Sequence, residues 1–289
     1  MADSVVENVP KKVLVLFHTD VLGLEIHKVN IITLDFGDSG LPECEEKKRY
    51  MKDKTILLIG ATQGTGLEAA RKLASDGTRI RVLARNIAKA RENYDETVPL
   101  VKGDLQDKGQ PAEAFEDIDH IIFTAGVTKR PCSEDLIVST EFEGMKRVLA
   151  AAKAAGFCGR FAFLSSIGVE NPNWASALLN KIKGNALKWR LAMEDLIRES
   201  GIDYTIVRAG YLMNSVSNKR IQLGQNDLAL QLRYRIGRKE AARVLVESLR
   251  HEEAGGKTFY AVRSNEAGVT VWSEAFNSLR SDDPDQKDE

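Results

Sequence analysis

A short apolar run, a glycine-containing turn and an amphipathic segment follow one another without a break near residue 55. Residues 56–59 are predicted to form a strand buried on both faces, because no polar side chain interrupts them. Gly60 permits a tight turn, Gly64 lets backbone approach a phosphate, and Gly66 lets the next helix pack closely on the strand. The first N–H groups of such a helix attract phosphate, so the segment predicts a dinucleotide site. The alternative is a turn with only a structural role.

The composition narrows the classes of protein further. With 289 residues, 43% of them hydrophobic, the chain is long enough for one α/β domain with appendages. The net charge of −1 argues against nucleic acid or an anionic membrane as partner. No apolar run reaches the roughly 18 residues that span a bilayer. Asp3 and Glu7 lie where a signal peptide would be apolar, so we expect a cytoplasmic protein, with an organelle as the alternative.

The cysteines and histidines predict no metal site. The three cysteines are odd in number and widely spaced, which fits a reducing compartment. Neither they nor the four histidines show a metal-ligand spacing. These residues are Cys44, Cys132 and Cys158, with His18, His27, His120 and His251.

From Lys54 onward, short apolar runs alternate with segments of helical period. This alternation predicts a doubly wound, Rossmann-like α/β fold, in which helices cover both faces of a parallel sheet. The predicted strands are Thr55–Ile59, Arg79–Ala84, Val98–Val101, His120–Thr124, Arg160–Leu164, Tyr204–Val207 and Lys257–Val262. The predicted helices are Gly66–Asp76, Pro111–Glu116, Glu134–Ala155, Leu187–Ser200 and Lys239–His251. A ligand is expected along the carboxyl ends of the strands.

The two ends of the chain do not share this alternation. Residues 1–50 are predicted to be an N-terminal extension, with candidate strands at Val13–Phe17 and Val29–Leu34. This extension either packs on the domain or binds a protein partner. Residues 281–289 hold five acidic residues and one lysine, which predicts a solvated tail. A single domain is therefore predicted over residues 51–280.

Six segments share their order and spacing with a known family. They are Gly60–Gly66, Val82–Asn86, Val101–Leu105, Phe123–Gly126, Phe163–Gly168 and Gly201–Gly210. Together they resemble the atypical short-chain dehydrogenase/reductases, a single-domain NAD(P)-binding group with NmrA-like and plastid-type members. Gln63 stands where many members carry glycine, so the turn also matches the GxxxGxG form found elsewhere in that superfamily.

The resemblance implies a set of cofactor contacts. Residues 60–66 would hold the pyrophosphate, Asp104 and Leu105 would flank the adenine, residues 124–126 would line the ribose, and residues 209–211 would lie near the nicotinamide. In full, the implied cofactor residues are Gly60, Thr62, Gln63, Gly64, Thr65, Gly66, Asp104, Leu105, Thr124, Ala125, Gly126, Ser165, Ala209 and Gly210. Two structural alternatives stay open. Asp104 could only cap a loop, and residues 124–126 could only form a tight strand exit.

The end of the second predicted strand indicates which cofactor is bound. A carboxylate at this place binds the ribose 2′-hydroxyl of NAD, whereas an arginine accommodates the 2′-phosphate of NADP. Arg85 stands there with no acidic neighbour, and its planar fork of donors suits a phosphate. We therefore expect NADP(H), the alternative being an exposed arginine that contacts no ligand.

The catalytic motif of the resembled family is incomplete in this chain. Most of its reductases use a Tyr-x-x-x-Lys pair, in which the tyrosine exchanges a proton and the lysine lowers its pKa. By the alignment that the resemblance implies, Ala186 takes the tyrosine place and Arg190 the lysine place. Arg190 would contact either the ribose or Glu194, one turn further on, and Lys188 is the substitute if the register is shifted.

Two further residues are candidates for the acceptor side of the site. Ser166 matches the serine that orients a substrate carbonyl in the resembled family, and Ser165 precedes it at the strand end. Either hydroxyl could instead only satisfy backbone groups. Tyr211 is a second candidate proton donor or a wall of the pocket.

Two functions follow from this pattern. The first is an NADPH-dependent reductase of a small carbonyl, quinone or flavin-like acceptor, because quinones and flavins accept hydride with little help from a proton donor. The second is an NADP(H)-binding redox sensor or assembly factor, whose N-terminal extension contacts a protein partner. The reductase is the leading hypothesis, and the missing tyrosine is the observation that supports the alternative. A family resemblance determines the fold better than the function.

Overall fold

The computed structural model describes residues 51–171, 173–215, 217, 219–226 and 228–283. Its strands are β1 (Thr55–Ile59), β2 (Arg79–Ala84), β3 (Leu100–Lys102), β4 (His120–Phe123), β5 (Phe161–Ser166), β6 (Tyr204–Ala209), β7 (Tyr211–Met213), β8 (Lys219–Gly224), β9 (Arg235–Gly237) and β10 (Lys257–Ala267). Eight of them form one sheet in the order β3-β2-β1-β4-β5-β6-β10-β8. All neighbours from β3 to β10 pair in parallel, and β8 pairs antiparallel with β10. Strands β7 and β9 pair separately.

Helices cover both faces of this sheet. They are α1 (Gly64–Ser75), α2 (Ile87–Arg91), α3 (Glu134–Ile137), α4 (Glu143–Ala154), α5 (Trp174–Ile182), α6 (Ala186–Arg198), α7 (Arg238–Arg250) and α8 (Trp272–Asn277). A π-helical segment, Val138–Phe142, joins α3 to α4. Single 3₁₀ turns occur at Ala112–Ala114 and Glu252–Ala254.

Strand β1 lies inside the sheet, between β2 and β4, and its apolar side chains supply both cores. Ile56 and Leu58 belong to the cluster that includes residues of α1 and α7, such as Leu73 and Leu245. Leu57, on the opposite face, belongs to the cluster that includes residues of α4 and α6. Alternate residues of a strand point to opposite faces, so an uninterrupted apolar strand requires two covering layers. The doubly wound fold predicted from the sequence is confirmed.

Several predicted elements differ from the structure. The helix predicted over Pro111–Glu116 is wrong, since only one 3₁₀ turn forms there. The continuous helix predicted over Glu134–Ala155 is interrupted by the π-helical segment. The third strand begins two residues later than predicted, at Leu100. The sheet also gains an antiparallel strand, β8, that the alternation did not predict.

Of the elements between residues 174 and 237, the sequence predicted only α6 and β6. Helix α5 and strands β7 to β9 were not predicted, although α5 carries a local signal. Asn173 accepts from the Ser176 N–H, and the Ser176 hydroxyl accepts from the Asn173 N–H, which is a capping box. The candidate strands in residues 1–50 and most of the acidic tail lie outside the described residues.

Candidate active site

The parallel pairing brings most of the predicted site residues to one edge of the sheet. The carboxyl ends of β1, β2, β4, β5 and β6 lie side by side, because these strands run in the same direction. This is the edge where ligands bind in open α/β sheets. The residues at or just beyond these ends are Gly60, Arg85, Thr124, Ser165, Ser166 and Ala209.

The glycine turn packs directly against the loop that follows β4. Gly60 has a φ of +88°, and a Cβ there would overlap the backbone nitrogen of Ala125. A Cβ on Gly66 would overlap the Thr124 hydroxyl and lie 2.5 Å from the Gly60 carbonyl oxygen. The Thr124 hydroxyl donates to that carbonyl at 3.2 Å. Both glycines are therefore required sterically, and Thr124 has the strand-exit role that the sequence left open.

The first turn of α1 keeps its N–H groups available. Gln63 precedes the helix in extended conformation and makes no capping hydrogen bond with its side chain, and no acidic residue lies in the first turn. The Thr65 hydroxyl is buried and has no hydrogen-bond partner within the described residues. An uncapped helix N-terminus carries unsatisfied donors and a positive dipole end. The residues present therefore fit a dinucleotide pyrophosphate at this turn.

Arg85 and Asp104 differ in how far their side chains are engaged. Arg85 is exposed at the end of β2 and makes no hydrogen bond or ion pair with any described residue. Asp104 accepts from the Gln106 N–H at 3.0 Å, which is a turn-stabilising contact. Leu105 is buried, and its carbonyl accepts from Arg147 at 2.8 Å. Arg85 is thus free to meet a ligand, whereas Asp104 has the loop-capping contact of its structural alternative.

Arg190 joins the loop after β4 to the end of β5. Its guanidinium donates to the Leu164 carbonyl at 2.7 Å and pairs with Glu141 at 3.2 Å. A Cβ on Gly126 would lie 3.0 Å from Arg190 Nη2. Of the two contacts that the sequence left open for Arg190, the ion pair with Glu194 does not form, because the side chain turns toward the sheet edge instead of along its own helix. The structure therefore brings Arg190 to the predicted ribose loop.

Lys188, the alternative to Arg190, points elsewhere. Its side chain is 65% exposed and its ammonium lies 3.5 Å from Glu134 on α3. The same Glu134 carboxylate accepts from the Trp189 indole at 2.7 Å. Lys188 therefore contributes to a surface contact between α3 and α6.

Two residues near Arg190 were not predicted. Glu141 is almost fully buried in the π-helical segment, and its Oε1 accepts from the Val127 N–H at 2.7 Å. Lys183 is also buried and donates to the Val127 carbonyl. Burial lowers the pKa of the Lys183 ammonium, although Glu141 raises it. The two side chains bind the N–H and the carbonyl of one residue, Val127, an arrangement between distant segments that no local sequence pattern indicates.

The two adjacent serines differ in their hydrogen bonds, because only Ser165 belongs to a second buried network. Ser165 donates to Glu194 at 2.5 Å, and Glu194 also accepts from Arg208 at 2.6 Å. Burial lowers the pKa of Arg208, but hydrogen bonds to Glu170 and Glu194 outweigh it, so the net shift is upward. Ser165 is therefore engaged in structure. Ser166, half-buried, donates only to the neighbouring Ile167 carbonyl at 3.1 Å, as far as the described residues show.

The residues after β6 form one wall of the same edge. Ala209 is buried opposite Ser166 in the sheet, and the Gly210 N–H donates to the Ala261 carbonyl. Tyr211 is 50% exposed, which leaves its side chain accessible as wall or proton donor. Within the described residues, no cluster of His, Cys, Asp and Glu could hold a metal ion. Nor does any helix in that part of the chain have the length and apolar character needed to cross a membrane.

Comparison with known proteins assigns the class. The family model described as NAD(P)H-binding matches residues 60–252, which is more than half of the chain. The chain therefore belongs to this NAD(P)H-binding family. The fold agrees with that of an oxidoreductase from Lactococcus lactis, with a TM-score of 0.64 at 19% identity, covering 78% of this chain and 96% of that one.

Three relatives show the range of proteins that share this domain. An uncharacterized chloroplastic protein of Arabidopsis thaliana is 30% identical, covering 78% of this chain and 74% of its own length. Sanguinarine reductase of Eschscholzia californica is 28% identical, covering 79% of this chain and 95% of that protein. The photosystem II assembly factor Ycf39 of Cyanophora paradoxa is 31% identical, but the match covers 53% of this chain and 44% of that protein. The family thus contains proteins named as enzymes and proteins named as assembly factors.

Proposed function

We propose that the protein is an NADPH-dependent reductase of a small carbonyl, quinone or flavin-like acceptor. The observation that carries this proposal is the position of Arg190. Its guanidinium lies between Gly126 on the cofactor side and Leu164 at the end of β5, where the lysine of the related motif is expected. The similarity to sanguinarine reductase, which spans nearly all of that enzyme, supports it.

The bound cofactor would supply the hydride, and the protein residues would orient the reactants. The glycine turn would hold the pyrophosphate and Arg190 would hold the ribose. Ser166 would exchange its 3.1 Å hydrogen bond to the Ile167 carbonyl for one to the acceptor at the end of β5. Ala186 is a buried methyl group at the tyrosine place, so no phenol is positioned there to donate a proton. Acceptors that stabilise the developing anion themselves are therefore expected.

A panel of quinones, flavins and aldehydes tests the proposal through steady NADPH oxidation. We expect Ser166→Ala to lower turnover with nearly unchanged cofactor affinity, and Arg190→Ala to weaken cofactor binding instead. Oxidation of simple secondary alcohols should be negligible, since a positioned general base contributes about 10²- to 10⁴-fold. Efficient oxidation of an unactivated alcohol would contradict the proposal and direct attention to Tyr211.

We further propose that NADP(H) is preferred over NAD(H), because the unengaged Arg85 guanidinium can bind the 2′-phosphate. A charge-assisted hydrogen bond of this kind is worth about 1.5 to 3 kcal/mol, or roughly 10- to 150-fold in affinity. Titration of both cofactors into the wild type and Arg85→Asp measures the preference. Equal affinities in the wild type would refute it.

A second candidate function is a redox-responsive assembly or regulatory factor. One face of α5 favours it, because Trp174, Leu178 and Ile182 recur at helical spacing and are 79%, 50% and 41% exposed. Apolar exposure of this kind is typical of surfaces that meet a protein partner. The similarity to a photosystem II assembly factor also supports it. Tight NADPH binding without turnover of any acceptor would decide in favour of this function.

The role of residues 1–50 is a further proposal. We propose that residues 1–50 are an appendage that contacts a protein partner, so a chain beginning at Met51 should fold and bind cofactor. Met51 is itself fully buried in the larger core. Loss of cooperative unfolding in the shortened chain would refute this.

The cytoplasmic location predicted from the sequence lacks support, and the chloroplastic names of two relatives favour a plastid instead. Imaging of a C-terminal fluorescent fusion separates the two.

A further inference from the structure

Arg238 is the first residue of α7 and lies against the glycine turn. A Cβ added to Gly64 would lie 3.7 Å from Arg238 Nε and 3.9 Å from its Cδ. Gly64 is the first residue of α1, and its missing side chain marks the space in which a phosphate approaches the backbone. The Arg238 side chain therefore borders that space.

The packing of two helices places Arg238 there. Helices α1 and α7 share one hydrophobic cluster, to which α1 contributes Ala69 and Leu73 and α7 contributes Ala241 and Leu245. The contact between Arg238 and Gly64 shows that the first turns of both helices lie at the same edge of the domain. The charge of Arg238 is consequently presented to the turn between β1 and α1.

The Arg238 guanidinium has unused donors. Its Nη1 donates to Asn214 Oδ1 at 2.7 Å and lies 3.4 Å from the Leu212 carbonyl. Over the described residues, Nε and Nη2 make no hydrogen bond and no carboxylate pairs with the side chain. Arg263, which lies close by, is instead paired with Glu240 at 2.7 Å. Arg238 is half-buried, so its charge lacks full solvation and gains from an anionic ligand.

The N–H group before α7 is already engaged. The Gly237 N–H donates to Glu240 Oε2 at 2.6 Å, and the same carboxylate pairs with Arg263. The contact that α7 makes with the glycine turn is that of the Arg238 side chain.

We propose that Arg238 clamps the pyrophosphate of the bound nicotinamide cofactor, exchanging its contact with Asn214 for the phosphate oxygens. The inference rests on the placement of the cofactor at the glycine turn. The guanidinium would contact the pyrophosphate from the side of α7, while the N–H groups of the first turn of α1 donate to the phosphate oxygens. Arginine suits this role because its fork of donors matches two phosphate oxygens. Both NADP(H) and NAD(H) carry this pyrophosphate, so the contact strengthens binding without selecting between them.

Calorimetric titration of NADPH and NADH into the wild type, Arg238→Gln and Lys239→Gln tests the clamp. Lys239 is the exposed neighbour on the same turn and loses the same charge, so it is the matched control. We expect Arg238→Gln to weaken both cofactors about 10- to 150-fold with an unchanged NADPH-to-NADH ratio. Lys239→Gln should stay within about twofold of the wild type. Arg85→Gln should change mainly the ratio.

Three results would overturn the clamp. They are an affinity of Arg238→Gln within twofold of the wild type, an equal loss in Lys239→Gln, and a loss confined to NADPH. Arg238→Lys guards against misfolding of the glutamine variant, because it keeps the charge without the fork and should lose affinity to an intermediate degree. A wild type without preference for NADPH would refute the proposed role of Arg85 and leave the test of Arg238 intact.

Discussion

The two halves of the sheet edge treat charge in opposite ways. On the cofactor half, around β1 and β2, the Arg85 guanidinium and the first N–H groups of α1 are unengaged within the described residues. On the acceptor half, around β5 and β6, Arg208 is paired with Glu170 and Glu194, and Arg190, where the two halves meet, is paired with Glu141. Free donors attract a phosphate-bearing ligand, whereas paired charges position neighbouring segments and leave little net charge. Under the proposed function, this difference teaches that unengaged donors mark the place of the phosphate-bearing cofactor, whereas paired charges order the segments around the acceptor.

The largest test of this contrast is removal of the carboxylate at the centre of the acceptor half. Glu194 is fully buried and accepts from Ser165, Arg198 and Arg208. Glu194→Ala should lower the free energy of unfolding by about 3 to 5 kcal/mol, because it leaves buried cations without their partner. Denaturant unfolding measures the change.

The neighbouring carboxylate supplies the control. Asp195 also pairs with Arg198, at 2.9 Å, but its side chain is 56% exposed. Asp195→Ala should cost about 1 kcal/mol or less. Equal costs for the two variants would show that burial of the charges does not matter, and the contrast between the halves would lose its energetic basis.

The next test concerns the glycine turn on the cofactor half. Gly60→Ala should cost about 2 to 4 kcal/mol, since a left-handed φ penalises a side chain and the new methyl overlaps the loop after β4. Gly201 also has a positive φ, +73°, but open space around it, so Gly201→Ala should show only about 1 to 2 kcal/mol. Thermal unfolding of both variants separates the overlap from the backbone cost. Equal losses would mean that the loop yields to the methyl group.

The next prediction concerns the pH dependence of stability, which depends on His120 at the opposite edge of the sheet, away from both halves. Burial lowers the pKa of His120 to about 4, and its Nδ1 accepts from the Arg160 N–H. The unfolded chain binds a proton near pH 6.5 while the folded protein does not, so stability is complete above that pH and falls as the pH approaches 4. At pH 5 the loss should be about 2 kcal/mol.

The His120→Asn variant checks the origin of this loss. Asparagine keeps an acceptor and does not titrate, so its stability should change little between pH 6.5 and 5, before most carboxylates titrate. The ratio of the NADPH and NADH affinities should show the same pH dependence in the wild type and the variant, because His120 lies at the opposite edge of the sheet from the predicted cofactor site. An equally steep loss in the variant would assign the effect to other groups.

The smallest effect is expected for Lys188. Its exposed ion pair with Glu134 should contribute at most about 1 kcal/mol to stability. Lys188→Ala should leave cofactor affinity unchanged, in contrast to Arg190→Ala. A large loss of affinity in Lys188→Ala, measured by fluorescence titration of NADPH, would mean that α6 turns its other edge to the ribose when cofactor binds.

The same contrast explains what the sequence could predict. The strand, turn and helix from β1 to α1 are contiguous, and glycine spacing and apolar periodicity encode them locally. Arg85 also follows from its place at a strand end. The pairs around β5 and α6 are non-local, since Glu141 and Arg190 lie 49 positions apart and Ser165 and Glu194 lie 29 apart. Helical spacing alone offered Glu194 as one of two possible contacts of Arg190, and such spacing gives no information about a partner from another element, here Glu141.

Because it contains the π-helical segment Val138–Phe142, the site is sensitive to the insertion or deletion of a single residue there. Each residue turns an α-helix by about 100°, so a π-helical turn carries one residue more than the regular helix needs. Deletion of one residue there would restore regular winding and rotate Glu141 away from the Val127 N–H and Arg190. The deletion would disconnect the cofactor loop from α6 without removing any side chain named in the site, so an insertion or deletion at this position is expected to alter function more than most substitutions around it.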